Sequence, residues 1–286
     1  MSKADLKDFD DHTFLNFRNY IYDNCGIVIK EDKKVFLGSR LRKRIKTLHL
    51  TGYDEYWNYL INNSQSSIEK YNLFEAITIN ETYFQRGNNH YKILADYVLP
   101  EFSLKHGNQI KIWSCGTSTG EEAYDLSMVS LEYEKDHPEL KISIIGTDVS
   151  KRVLEFARNA EYADRRINQL TEYQIHTYFN QISPENSTLP YAKKVLSVKP
   201  LLKEKVNFQY QNIMSDDYIL DVDVLFCRNV LIYFDKQTQY EIMQKFYNSL
   251  NHGGYLFLGY SEVLNIMPEK LVVCRFPEGT IYKKEF

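Results

Sequence analysis

Of the 286 residues only four are cysteine, and none stands in a Cys-x-x-Cys pair. Cys25, Cys115, Cys227 and Cys274 are scattered, three of them in apolar, strand-like contexts, so they read as buried reduced thiols. The seven histidines show no His-x-x-x-His spacing, and a metal site has no support. No run of about 18 apolar residues occurs, and the acidic start MSKADLKDFDD contains no apolar signal core. A soluble, cytoplasmic chain with no membrane insertion is expected. Net charge of -3 provides no global attraction to nucleic acid or anionic lipid, so electrostatic targeting has to be local. No internal repeat is visible. Hydrophobic content of 43% and charged content of 26% exclude disorder and supply core for one large domain or two modest ones.

The stretch that organises the rest is IKIWSCGTSTGEEAYDLSM, residues 110–128. A short apolar strand (110–114) runs into a small-residue loop (115–120), and the loop opens a helix at Glu121, the start of a nucleotide-binding βαβ unit. Gly116 and Gly120 permit positive φ and a close backbone approach, and Thr117, Ser118 and Thr119 add hydroxyls. Charge selects the ligand. A pyrophosphate needs a free helix N-terminus, whereas Glu121 and Glu122 already complement the helix dipole and repel a phosphate. S-adenosylmethionine, with a cationic amino group and a ribose, fits better. Asp148 ends the second strand, ISIIGTDVS, 28 residues after Gly120, where an acidic residue reaches ribose hydroxyls.

Residues 1–75 read as an all-helical domain. Asp11 is positioned to cap a helix with Phe14, Phe17 and Ile21 on one face, ending near Gly26. A second helix, 32–48, places Leu37, Leu41, Ile45 and Leu48 on one side. Its other side carries Arg40, Arg42, Lys43, Arg44 and Lys46, five cations in the seven residues RLRKRIK: either a solvated face or a docking surface for an acidic partner. A third helix follows at 54–61, a polar turn at 62–67 and a fourth helix at 68–78. The segment 76–91, AITINETYFQRGNNHY, is dense in polar groups, and Asn80, Thr82 and Arg86 can line one side of a turn. A helix over 90–102 exits near Pro100. From Ile110 strands and helices alternate, which predicts a mainly parallel sheet closed by an antiparallel hairpin around Pro277-Glu278-Gly279. The stretch 181–205 breaks that rhythm and reads as a small inserted strand pair.

With these residues in place the chain resembles the CheR-type chemotaxis receptor methyltransferases. Six motifs in order carry the resemblance: YDNCGIVIKEDKKVFLGSRLRKRIKTL, TINETYFQR, IWSCGTSTGEEAY, GTDVS, FCRNVLIYFD and GGYLFLGYSE. It implies a class I S-adenosylmethionine-dependent methyltransferase sheet of α/β type over 76–286, with a small all-α N-terminal domain and a small inserted β-subdomain. It also implies that Asn80, Thr82 and Arg86, with Gly116, one of Glu121 and Glu122, and Asp148, hold the cofactor. Asn212-Ile213 and Asn229-Val230 match positions flanking its two ends. Arg86 and Tyr233 resemble the residues nearest the transferring methyl. The implied reaction is methyl transfer to glutamate carboxylates on the cytoplasmic helices of methyl-accepting chemotaxis receptors, leaving S-adenosylhomocysteine, with the basic helix meeting those helices.

The sequence departs from the family in two places. Ala123 and Asp125 stand where the family usually has proline and serine, and the inserted stretch 181–205 has no glycine where members that grip a C-terminal receptor pentapeptide have a glycine-bearing loop. Independence from such a tether is therefore expected. Two other readings stay open: a methyltransferase for nucleic acid or a small molecule, and a noncatalytic S-adenosylmethionine-binding adaptor. Against the first, Arg228-Asn229-Val230-Leu231 lacks the prolines typical of amino-group methylation.

Overall fold

The structure, a computed structural model, describes residues 9–62, 66–105, 108–189, 191–262, 268 and 270–285. Part of the acidic N-terminus and part of the polar turn expected at 62–67 lie outside the described residues.

Four helices build the first domain: α1 (Asp11–Cys25), α2 (Lys34–Thr47), α3 (Tyr53–Asn62) and α4 (Ser66–Ile77). Asp10, one residue before the expected Asp11, caps α1 by accepting the Thr13 N–H at 2.7 Å, because it alone has extended backbone (ψ 171°) at the helix entry. Gly26, left-handed at φ 72°, ends the helix. Phe14, Phe17 and Ile21 of α1 pack on Leu37, Leu41 and Ile45 of α2, the faces that the spacing predicts. Arg44 does not share the solvent face of its neighbours. It forks onto Glu69 of α4 at 2.9 and 2.6 Å, and the buried Glu69 carboxylate also accepts from Tyr56 Oη at 2.8 Å. Arg44 therefore ties α2 to α4, while Arg40, Arg42, Lys43 and Lys46 are exposed.

The helix expected over 90–102 is longer and irregular: α5 (Asn89–Ile93) passes through a π-helical turn, Leu94–Val98, into α6 (Leu99–Lys105). Pro100 lies inside α6 rather than at an exit, because the wide turn closed by Leu99 N–H on the Leu94 carbonyl re-spaces the backbone ahead of a residue with no N–H.

Then β1 (Gln109–Cys115), α7 (Glu121–Asp136), β2 (Lys141–Asp148) and α8 (Lys151–Asn159) form the predicted βαβα unit. After it come β3 (Glu161–Ala163), α9 (Glu172–Tyr178), β4 (Phe179–Ile182), β5 (Val195–Val198), α10 (Pro200–Lys203), β6 (Val206–Tyr210) and β7 (Val222–Cys227). The chain closes with α11 (Lys236–Ser249), β8 (Leu250–Leu258), β9 (Leu271–Phe276) and β10 (Gly279–Lys284). The main sheet has seven strands in the order β6-β2-β1-β7-β8-β10-β9, parallel except for β10, which runs antiparallel to both neighbours. Phe226, Phe257, Ile112 and Ile144 face one packed layer, and Trp113, Leu225 and Leu256 face the other.

The inserted subdomain is a three-stranded antiparallel sheet, β3-β5-β4, not a strand pair. Its third strand comes from Glu161–Ala163, upstream of 181–205, too short a segment to show alternation in the sequence. Among the described residues no helix is long and apolar enough to cross a membrane. Cys25, Cys115 and Cys227 are buried and unpaired; Cys274 is only half-buried.

Candidate functional site

β1 leaves the sheet where its neighbours depart in opposite directions, β2 on one side and β7 on the other, the crevice where open α/β sheets bind ligands. At that point Gly116 turns at φ 76°, and a Cβ there would come within 2.4 Å of Val230 Cγ2. The Gly116 and Thr117 N–H groups donate to the Thr147 carbonyl at 2.9 Å each, locking the loop to the end of β2. Asp148 accepts the Ser118 N–H and the Ser150 N–H, both at 2.9 Å, so its carboxylate stands at the strand end facing the glycine turn. Burial pushes it up to about 6, against those two donors.

The two glutamates at the head of α7 diverge. Glu121 is fully buried and turned away from the crevice, bonded by Thr119 Oγ1 at 2.7 Å and ion-paired with Arg166. It does not line the cavity. Glu122 does, accepting from Ser114 Oγ and from Arg228 Nε, each at 2.7 Å. Consecutive helical positions point about 100° apart, so only one of the pair can face the crevice.

The interdomain segment crosses the mouth and is pinned residue by residue. Phe84 is buried against the rings of Tyr162 and Phe179 (centroids 4.8 and 5.3 Å), and its N–H donates to the Arg166 carbonyl at 2.9 Å. Gln85 is held by Asp125, and the carbonyls of Arg86 and Gly87 accept from Arg228 Nη1 at 2.7 and 3.3 Å. Between these anchors Asn80, Thr82 and Arg86 line the cavity. The Arg86 guanidinium donates once, to the Glu81 carbonyl at 2.7 Å, and lies 5.8 Å from the centre of the Tyr83 ring. No ion pair to Glu81 or Glu121 engages it among the described residues.

On the far wall Asn212 and Ile213 follow β6, and Asn229, Val230 and Tyr233 follow β7. Asn229 sits at φ 60°, and its N–H donates to Glu262 Oε2 at 2.7 Å; the same oxygen accepts the Gly259 N–H at 2.7 Å. The helical domain supplies part of this wall, since Cys25 and Ile27 line the cavity and Asn212 Nδ2 donates to the Asn24 carbonyl at 2.9 Å. Tyr233 is raised above its ordinary range by burial, with the nearby Arg86 opposing.

The cavity encloses about 1160 Å³, its open mouth included. Of the residues expected to hold the cofactor or the methyl, all but Glu121 meet here; Thr119 and Gly120 of the loop and the cations of α2 do not line the cavity. Arg228, Gln85, Asp125 and Glu262 are not among the residues expected at the site; Asp125 stands out in the sequence only as a departure from the family pattern. Arg228 and Glu262 lie inside quoted motifs, beside Asn229 and at the end of GGYLFLGYSE, but their roles depend on partners over 30 residues away in the chain.

The lining suits a nucleoside cation. Thr117 Oγ1 and Ser118 Oγ are buried with no hydrogen-bond partner among the described residues, so hydroxyls wait at the turn. The acidic residues Glu81, Glu122 and Asp148 line the same space, and the buried Arg228 there is already paired with Glu122. Ile77, Ile79, Ile213 and Val230 offer apolar surface for a base. A pyrophosphate would meet acid where it needs cations, whereas S-adenosylmethionine would not. The fold and this lining define a class I methyltransferase.

Residues 12–78 match the all-α domain of the CheR methyltransferases, and residues 80–279 match their SAM-binding domain. A chemotaxis protein methyltransferase of Borreliella burgdorferi is 35% identical over 251 residues, 85% of each chain. Its counterpart in Vibrio parahaemolyticus is 32% identical over 278 residues, 96% of this chain and 97% of that one. Chemotaxis protein methyltransferase 1 of Pseudomonas aeruginosa is 32% identical over 273 residues, 93% and 96% of the two chains. The chain belongs to the CheR methyltransferase family, and S-adenosylmethionine is its cofactor.

Proposed function

We propose that this protein methylates glutamate side chains on the cytoplasmic helices of chemotaxis receptors, forming methyl esters, and that it works in the cytoplasm. The observation that carries the reading is the convergence of Asn80, Thr82 and Arg86 from the interdomain segment with Gly116, Asp148 and Tyr233 on one cavity.

In this reading Asp148 and the Thr117 and Ser118 hydroxyls hold the ribose side of the cofactor, Glu122 faces its cationic part, and Ile213 and Val230 pack on its base. The bound cofactor supplies an electrophilic methyl on a sulfonium. A glutamate has an ordinary pKa of about 4.3, so the nucleophile arrives ionised and the chain needs no general base. What remains is alignment. The Arg86 fork has donors to spare beyond the one on Glu81, and a planar guanidinium orients a carboxylate without accepting its proton. Tyr233, kept protonated by burial, offers an O–H beside it. Water is kept from the pocket by the segment 80–87 laid across it.

Arg40, Arg42, Lys43 and Lys46 form the surface that meets acidic receptor helices; Arg44 is internal to the bundle. The protein does not depend on a receptor pentapeptide: no glycine occurs between Gly146 and Gly253, so the subdomain lacks the loop that grips one. Micromolar binding of a receptor-tail pentapeptide by calorimetry would overturn that part.

The decisive experiment is incubation with labelled methyl donor and candidate receptors, then base treatment. Glutamate methyl esters release volatile labelled methanol. Label that stays nonvolatile, or no transfer to any receptor, defeats the reading; binding of the donor without transfer favours the adaptor.

A further inference from the structure

Asp125, which stands where the resemblance leads one to expect serine, is fully buried in the second turn of α7 and does not line the cavity. Both of its oxygens engage Gln85, and the Tyr91 hydroxyl also bonds to the carboxyl. Oδ2 accepts the Gln85 N–H at 2.7 Å, and Oδ1 accepts from Gln85 Nε2 at 2.7 Å. Gln85 has φ 62°, left-handed backbone that a non-glycine residue adopts only when its surroundings impose it. The next residue is Arg86. On its other side, Arg228 Nη1 holds the Arg86 carbonyl.

We propose that Asp125 and Gln85 form a positioning clamp that holds the interdomain segment in the turn which directs Arg86 into the cavity. The inference rests on the reading of Arg86 as the residue that aligns the substrate carboxylate. Neither Asp125 nor Gln85 touches cofactor or substrate. The clamp works through geometry: a left-handed residue reverses the chain, and a two-point hold on its backbone and its side chain fixes that reversal where a single bond would let it rotate. The Asp125 carboxyl is faced by Gln85 from the segment, by Arg228 from the end of β7 and by Tyr91 from α5, while Glu122 lies on its own helix. Asparagine can reproduce both bonds, with its carbonyl accepting the Gln85 N–H and its amide donating to a reversed Gln85 side chain. Alanine reproduces neither.

The test uses the full chain and two readouts. The first is limited tryptic cleavage after Arg86 in the protein without cofactor, mapped by mass spectrometry. The second is kcat for receptor methylation at saturating donor. Asp125→Ala should accelerate cleavage about tenfold and lower kcat about tenfold, whereas Asp125→Asn should restore both to within about twofold. Adding Gln85→Ala to Asp125→Ala should change neither further, because the two residues act as a unit. Should Asp125→Ala fail to fold, Gln85→Ala alone decides, with both readouts moving in the same direction. Wild-type behaviour of either alanine variant, failure of asparagine to rescue, or additive losses in the double variant overturns the clamp. If the wild-type protein transfers no methyl to receptors, the reading of Arg86 falls, while the cleavage pattern still reports on the clamp.

Discussion

The Val28 N–H, in the chain leaving α1, donates to the carbonyl of Tyr233, in the turn after β7, at 2.9 Å. The helical domain thus holds the backbone of a residue proposed to sit nearest the reacting methyl. Asn24 accepts from Asn212 alongside it, and the Glu75 carboxylate at the end of α4 accepts the Arg152 N–H at 2.9 Å where α8 begins. The cavity and the helical domain are thus joined through the backbone.

Gly26 is the point at which that junction is most exposed to substitution. At φ 72° a side chain is strained, and a Cβ would lie 2.6 Å from Met214 Sδ. Gly26→Ala is expected to cost about 1–2 kcal/mol for the left-handed backbone, plus the displacement of Met214. Because Cys25 and Ile27 line the cavity, S-adenosylhomocysteine affinity should fall in step. Denaturant melts and calorimetry check both, and an unchanged affinity would separate the junction from the site.

Asp148 makes binding depend on pH. Burial raises its carboxyl from 3.8 to about 6 in the protein alone. A raised folded pKa means that the fold binds this proton more tightly than the unfolded chain, so the group's contribution to stability is complete below about 4 and is lost as pH rises through about 6. Binding is expected to run the other way, because in the proposed role of Asp148 the ribose hydroxyls donate to its anion. S-adenosylhomocysteine affinity should therefore drop as pH is lowered through 6, and Asp148→Asn should bind weakly with little pH dependence over that window. A flat profile in the wild-type protein would remove Asp148 from the ribose site.

The cations of α2 separate into an exposed group and the internally paired Arg44. Reversing Arg40, Arg42 and Lys43 to glutamate should lower kcat/KM for receptors about tenfold, an effect that weakens with added salt, and leave cofactor affinity unchanged. Arg44→Glu should instead unfold the bundle. It strands the buried Glu69 carboxylate, at a cost of about 3–5 kcal/mol, and calorimetric melting reads it.

Glu121 and Glu122, adjacent in sequence, should fail differently. Glu121→Ala leaves Arg166 facing an empty buried site and should lower stability by about 3 kcal/mol. Glu122→Ala should weaken S-adenosylhomocysteine binding and, by freeing Arg228, loosen the Arg86 and Gly87 carbonyls. Equal loss of affinity in both variants would contradict the placement of Glu121 outside the cavity.

Local signals survived folding where the cause was local. Phe14, Phe17 and Ile21, three and four apart, could bury only one face of a helix. Gly116 before a small-residue loop could only be a turn, and the βα alternation required a mainly parallel sheet. Signals were lost where the cause was a distant partner. Arg44, seven residues after Leu37 and three after Leu41, falls at the edge of the apolar face where Arg42 does not, but the partner that makes that edge an internal ion pair, Glu69, is 25 residues away in the chain. Glu161–Ala163 is too brief to declare itself a strand before Val195–Val198 pairs with it.

By itself the sequence pointed to the class of ligand, because a small-residue loop followed by acids at the head of a helix disfavours a phosphate there. It also pointed to the family through six motifs in order, which the matches over residues 12–78 and 80–279 bear out. Tertiary structure alone decided which carboxylate faces the cofactor and which becomes a hidden strut, and that Arg228 and Asp125 hold the segment carrying Arg86. Both are matters of what lies opposite a side chain in space, and a linear text assigns no opposite.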